Sequence, residues 1–228
     1  MIEAAIFDMD GILIDSEPLW REAESLAFRR VGIELTGAMS HETLGLRPDE
    51  AVSHWYARFP WSGPSLEEVE QELVDAVRAR IADRGRPLDG ALSILDMLRA
   101  AGLRLALASS SPPLLIDTVI GKLGVRDYFS VVSSASDEAR GKPHPAVYLT
   151  AARLLGVEPA RCLAFEDSVP GVRSARAAGM SVVAVPAAEH FDEPDFGLAD
   201  FKLRSLADFS LDMVEIPQET GVPEPRGG

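Results

Sequence analysis

The chain has 228 residues, 46% hydrophobic and 25% charged, the make-up of an ordinary globular protein with one core domain and a modest insertion, or two small domains. Its 22 basic and 36 acidic side chains leave a net charge of −14, which argues against nucleic-acid and membrane partners. An anionic small molecule would be repelled as well, unless its site held a cation of its own. An apolar run, Ala4 to Phe7, reads as a first buried strand and ends in Asp8 and Asp10, with Gly11 behind them. Helical spacing follows over residues 17–31, carried by Leu19, Trp20, Ala23, Leu26, Ala27 and Val31, and residues 49–58 continue in that style. The stretch PSLEEVEQELVDAVRARIADRG is a further helix. Pro64 and Ser65 start it, Glu67 and Glu68 suit the positive end of its dipole, and Gly85 and Pro87 end it. Its apolar face is Leu66, Val69, Leu73, Val77 and Ile81. Nothing between 16 and 86 reads as a strand.

From residue 88 the pattern changes. A helix at 89–101 leads to the strand LRLALAS, a helix at 113–123 to a short strand near 130–133, a helix at 144–156 to CLAFED, and a helix at 169–178 to SVVAVP. Such alternation predicts an α/β fold, a Rossmann-like parallel sheet covered on both faces. The core is then discontinuous, residues 1–15 and 87–214, with an inserted all-helical domain over 16–86. Residues 215–228, EIPQETGVPEPRGG, are rich in Pro and Gly and are expected to be disordered. The lone cysteine, Cys162, reads as a small core residue, and the sequence shows no signal-peptide pattern or membrane-length apolar run, so a cytoplasmic monomer is expected.

In open parallel sheets, sites form at the carboxyl ends of the strands. The first strand ends in Asp8 and Asp10, the second in Ser109, Ser110 and Ser111, and CLAF in Glu166 and Asp167, while Lys142 sits in GKPHP before a helix. Carboxylates gathered in one place are costly, and a hard cation relieves them. Oxygen ligands that leave room for water and phosphate suit Mg²⁺, whereas the four histidines, His41, His54, His144 and His190, show no metal spacing. A bound Mg²⁺ with Lys142 would make a positive site on an acidic protein, fit for a small phosphate ester. Asp8 could then attack phosphorus, Asp10 serve as acid and base, Ser109 bind phosphate oxygens and Lys142 neutralise the transferring group. Ser111, just before Pro112 and Pro113, reads as a helix cap, and His144 as a residue that fixes the Lys142 loop. Trp55 and Trp61 read as packing anchors of the insert.

Taken in order, DMDGILID, ASSS, GKPHP and FEDSVPG resemble the four motifs of the haloacid dehalogenase superfamily, in its phosphatase and phosphomutase branch, over about residues 3–208. The resemblance implies a nucleophile at Asp8 and an acid/base at Asp10. It implies Mg²⁺ on Asp8, the main-chain oxygen of Asp10 and Asp167, with Glu166 nearby or joining, and a phosphoryl group held by Ser109, Ser110 and Lys142. Within that branch, IDSEPLW, TLGLR and WYARFPWSGPS are similar to bacterial hexitol phosphatases, which act on phosphorylated sugars and sugar alcohols. The insert would then be a cap that supplies specificity, with Glu17, Trp20 and Arg47 as contacts, and Arg47→Ala is expected to change substrate preference. Related β-phosphoglucomutases carry a histidine at the position of Trp20. Tryptophan cannot shuttle a proton, which favours hydrolysis over mutase chemistry. A dehalogenase would have no use for Asp10 or Mg²⁺. A receiver-like signalling module shares the acids, hydroxyl and lysine, but it carries its phosphorylated Asp mid-chain and has no large helical insert.

Overall fold

The computed structural model describes residues 1–216; the expected disordered tail therefore lies outside the described residues, except for Glu215 and Ile216. There the chain returns to its start, Ile2 N donating to Glu215 O at 2.6 Å.

Six parallel strands form the sheet: β1 (Ala4–Phe7), β2 (Arg104–Ser109), β3 (Val131–Ser134), β4 (Cys162–Glu166), β5 (Ser181–Ala184) and β6 (Phe201–Lys202). Their order is β3-β2-β1-β4-β5-β6. The chain builds outward from β1 to β3, then returns to the other side of β1 for β4, so the topological switch falls beside β1, where ligands settle in such sheets. The register places Phe7 level with Leu107 and Phe165, which brings the strand ends that follow side by side.

Strand alternation sorts the apolar side chains onto two faces. Ala5 and Phe7 join Leu105, Leu107 and Phe165 on one face, where Phe7 and Phe165 stack at 4.6 Å. That face is covered by α5 (Ala91–Ala100) and α6 (Pro113–Leu123), whose Ile94, Leu98, Leu115 and Val119 are buried in the same cluster. Ala4 and Ile6 face α7 (Ala146–Leu155) and α8 (Val169–Ala177), which contribute Val147, Tyr148, Ala151, Val172 and Ala175. Small residues predominate on this second face, so these helices approach the sheet closely.

Between β1 and α5 lie four helices: α1 (Glu17–Arg30), α2 (Gly37–Glu42), α3 (Pro48–Arg58) and α4 (Leu66–Arg84). Ser65 starts α4 with a capping box, accepting from Glu68 N while Glu68 accepts from Ser65 N. Val69, Leu73, Val77 and Ile81 are buried; Leu66, expected on the same face, is only partly so. Trp55 is fully buried on α3, and Trp61 donates to Pro64 O at 3.0 Å. The two connections to the core run together: Ile14 pairs antiparallel with Pro87, Asp15 N donates to Arg86 O, and Leu88 N to Leu13 O. Among the described residues, no helix is long and apolar enough to cross a membrane.

Candidate active site

The turn after β1 determines where its two acids point. Gly11 takes φ +71°, and a Cβ there would lie 1.8 Å from Asp167 Oδ2, so only glycine lets the turn pass under the β4 loop. Asp8 N is held by Phe165 O at 2.9 Å, which fixes the first residue of the turn to the neighbouring strand.

Lys142 reaches across three strand ends. Its Nζ donates to Asp8 Oδ1 at 2.8 Å, to Ala108 O at 3.1 Å and to Glu166 Oε1 at 2.6 Å, and the residue is only 2% exposed. A buried ammonium with three acceptors is fully partnered, and the pairing holds its pKa above the usual lysine value despite burial. Glu166 is wholly buried. Tyr148 donates to its Oε1 at 2.6 Å and Ser168 Oγ to its Oε2 at 3.2 Å, so both oxygens are engaged. Burial drives Asp8 upward, Lys142 works against it, and Glu166 and Asp10 add to the rise, leaving it at about 7. Asp167 lies well above the ordinary carboxylate range, through burial first and then the charges of Asp8 and Glu166. Asp8, Glu166 and Asp167 each bring an oxygen within 4.8 Å of the others. An all-oxygen donor set, held together against its own repulsion, fits a hard divalent cation such as Mg²⁺.

Asp10 is held by three donors. Ser16 Oγ at 2.6 Å and Trp20 Nε1 at 2.9 Å bind its Oδ1, and Ser111 Oγ at 2.8 Å binds its Oδ2. Two of these come from the start of the helical insert and one from the end of β2, so the carboxylate is fixed from both sides. The expected helix cap at Ser111 is corrected here: Pro112 occupies the N-cap position without a side-chain bond, and the Ser111 hydroxyl is spent on Asp10. Ser109 Oγ accepts from Ser111 N at 3.1 Å, and Ser110 Oγ donates to Gly45 O in the insert at 2.8 Å.

These residues open onto a cavity of about 360 Å³ between sheet and insert. Asp8, Asp10, Ser109, Ser110 and Asp167 line its core side, Glu17 and Trp20 its insert side. Lys142 and Glu166 lie behind the wall. Arg47, expected as a substrate contact, is turned away from the cavity. Its Nη1 donates to Ala135 O at 3.1 Å and Glu138 O at 2.9 Å, and its Nη2 to Asp49 at 2.9 Å, so it clasps the insert to the core. Glu50 completes the clasp by accepting from Gly141 N at 3.1 Å.

Sequence reading missed Ser16, Tyr148 and Ser168. Tyr148 looks like any apolar position of α7, and only the fold carries its hydroxyl to Glu166. It also missed a histidine cluster: His41 and His190 stack at 3.9 Å at the cavity wall, with Glu193 Oε1 at 3.2 Å and 2.7 Å from them. The histidines show no metal spacing in the sequence, and the fold alone brings these two together. Their sequence separation hid them. His144 does fix the Lys142 loop, through its main chain: its N donates to Gly141 O, and its O accepts from Ser174 Oγ.

Comparison with known proteins bears on the family and the fold. The family model of haloacid dehalogenase-like hydrolases matches residues 2–179. Hexitol phosphatase B of Escherichia coli strain K12 is 42% identical over 92% of this chain and 95% of its own. A solved structure of a point mutant of CbbY from Rhodobacter sphaeroides in complex with xylulose-(1,5)bisphosphate superposes with a TM-score of 0.85 at 26% identity, covering 95% of this chain and all 100% of that one. β-Phosphoglucomutase from Clostridium difficile, at 24% identity, shares the fold with a TM-score of 0.80 over 93% of this chain and 95% of its own.

Proposed function

The chain belongs to the haloacid dehalogenase-like hydrolases, and from that membership we propose that it is a Mg²⁺-dependent phosphatase of small sugar and sugar-alcohol monophosphates, hexitol phosphates foremost, working through a phosphorylated Asp8. The observation that carries this reading is the pairing of a lysine-bridged Asp8 with an Asp10 held by three donors on the wall of one cavity.

Asp8 and Asp167, with the main-chain oxygen of Asp10, would hold Mg²⁺, while Glu166 keeps Lys142 in place behind them. The cation would supply charge neutralisation at the phosphoryl group. Asp8 attacks phosphorus as the bond to the leaving oxygen breaks, and Asp10 delivers a proton to that oxygen. Water then attacks the aspartyl phosphate, Asp10 takes its proton, and inorganic phosphate leaves Asp8 restored. Three donors fix the Asp10 carboxyl for both transfers, so no reorientation is needed between them. Ser109 and Ser110 on the cavity wall bind the phosphoryl oxygens, and Lys142, behind the wall on Asp8, contributes its positive charge to them. The helical insert, residues 16–86, acts as a cap: joined to the core 1–15 and 87–214 by the paired linkers, it excludes bulk water and surrounds the leaving group. Trp20 holds Asp10 through its indole N–H and offers no second base, which supports hydrolysis over transfer to another sugar hydroxyl.

The test is chemical trapping. Quenching during turnover of a hexitol phosphate and reducing with borohydride converts an acyl phosphate to homoserine, and mass spectrometry should place that change at Asp8 alone. Turnover without any modified residue, or with modification elsewhere, would overturn the reading.

A further inference from the structure

Glu24 is a buried carboxyl that the reaction does not use. It lies on α1, is 8% exposed, and lines the same cavity as Asp8 and Asp10. Helical geometry puts it on the face of Trp20, one turn or about 6 Å further along the axis. Trp20 holds Asp10, and the leaving oxygen must lie beside Asp10 to receive its proton. The rest of the leaving group therefore extends along this face of α1, toward Glu24.

Buried charges are normally paired. The opposite charge that acts on Glu24 is that of Arg21, whose guanidinium is already bound to Glu17 at 2.8 Å and to Glu189 at 3.3 Å. Arg21 is also the one lysine or arginine on the cavity wall among the described residues, against six carboxylates. The remaining groups facing this end are Glu17 of α1, Ser40 and His41 of α2, and Glu189 and His190 from the loop after β5. The Ser40 hydroxyl favours the ionised carboxylate, but burial outweighs it.

We propose that Glu24 determines specificity at the far end of the cavity, accepting hydrogen bonds from hydroxyls of the leaving group and rejecting a second phosphate. The proposal rests on the phosphatase reading and assigns its preference for monophosphates over bisphosphates to this one residue. A carboxylate accepts from hydroxyls and has nothing to offer a phosphate dianion. A distal phosphate would meet the buried Glu24 with its one guanidinium neighbour, Arg21, already shared between two carboxylates. A polyol end brings donors and no charge.

Binding decides it, measured by calorimetry at about pH 8.5, where the Glu24 carboxyl, raised to about 7, is ionised, with Mg²⁺ present and with Asp8→Asn in every arm to stop turnover. The probes are glucitol 6-phosphate and glucitol 1,6-bisphosphate. Glu24→Gln should move the ratio of the two Kd values toward the bisphosphate by about tenfold, because one buried like charge is gone. Glu24→Leu, with no acceptor at all, should weaken the monophosphate by about tenfold while still relieving the bisphosphate. A Kd ratio unchanged within about twofold in both variants, or an equal loss for both ligands, overturns the proposal. Hydrolysis is followed separately with Asp8 and Glu24 both native. No phosphate released from either ester there would count against the phosphatase reading, whichever way the binding ratio falls.

Discussion

Keeping Glu24 inside the cavity costs stability, and pH exposes the cost. Burial pushes its carboxyl up to about 7, against 4.5 for the free group. The folded chain thus binds an extra proton between those values. By linkage, this makes stability fall as pH rises from 4.5 through 7. Glu24→Gln should therefore stabilise the protein by about 2 kcal/mol at pH 8 and by nothing measurable at pH 4, as denaturant melts at the two pH values would show. An equal effect at both would mean that packing, not charge, governs the site. Other single residues differ in how far the sequence announces them. Asp8 and Asp10 are legible because two acids at the end of an apolar strand have few other reasons to be there, and Lys142 because it directly precedes Pro143 and the start of a helix. Ser111 is not, because its partner Asp10 lies 101 residues away and a serine before two prolines looks like a cap. Tyr148 and Ser168 are hidden for a related reason: Tyr148 is ordinary in its own segment, Ser168 reads as the cap of α8 that it also is, and only the fold shows both on Glu166.

At the scale of elements, the long helices and buried strands follow their apolar periodicity closely. The two that escape are α2, six residues without a buried side chain, and β6, two residues paired only to β5. Neither is long enough to show a period. The insert's position in the chain is legible; its docking is not. Arg47 sits in TLGLR, a segment whose resemblance points to substrate, yet its guanidinium caps the carbonyls of the 135–138 turn. Gly45 marks a second contact of the insert with the core, since a Cβ there would lie 2.6 Å from Ser168 Oγ. The clasp reassigns the effect of Arg47→Ala. Loss of two charged hydrogen bonds should loosen the insert and lower kcat/KM by about tenfold on every ester, a generic aryl phosphate included. Steady-state kinetics on a hexitol phosphate and the aryl ester should keep their ratio within about twofold, since both rely on closure. A large change in preference would return Arg47 to the substrate.

Over the whole molecule, an acidic protein of net charge −14 is set to bind an anion. The contradiction resolves locally. The sheet topology gathers Asp8, Glu166 and Asp167 at the carboxyl ends of β1 and β4, Lys142 offsets part of their charge, and a divalent cation would cancel the remainder, so that an anion is no longer repelled there. The insert lies over that point, and one face of α1 both grips Asp10 through Trp20 and, a turn farther out, carries Glu24. The most direct measurement is phosphate release from a panel of sugar and sugar-alcohol phosphates, with Mg²⁺ and with chelator, beside Asp8→Asn. The expected result is metal-dependent release, strongest on hexitol phosphates and lowered at least about a thousandfold in Asp8→Asn. Release that survives chelation, or that persists in Asp8→Asn, would contradict it.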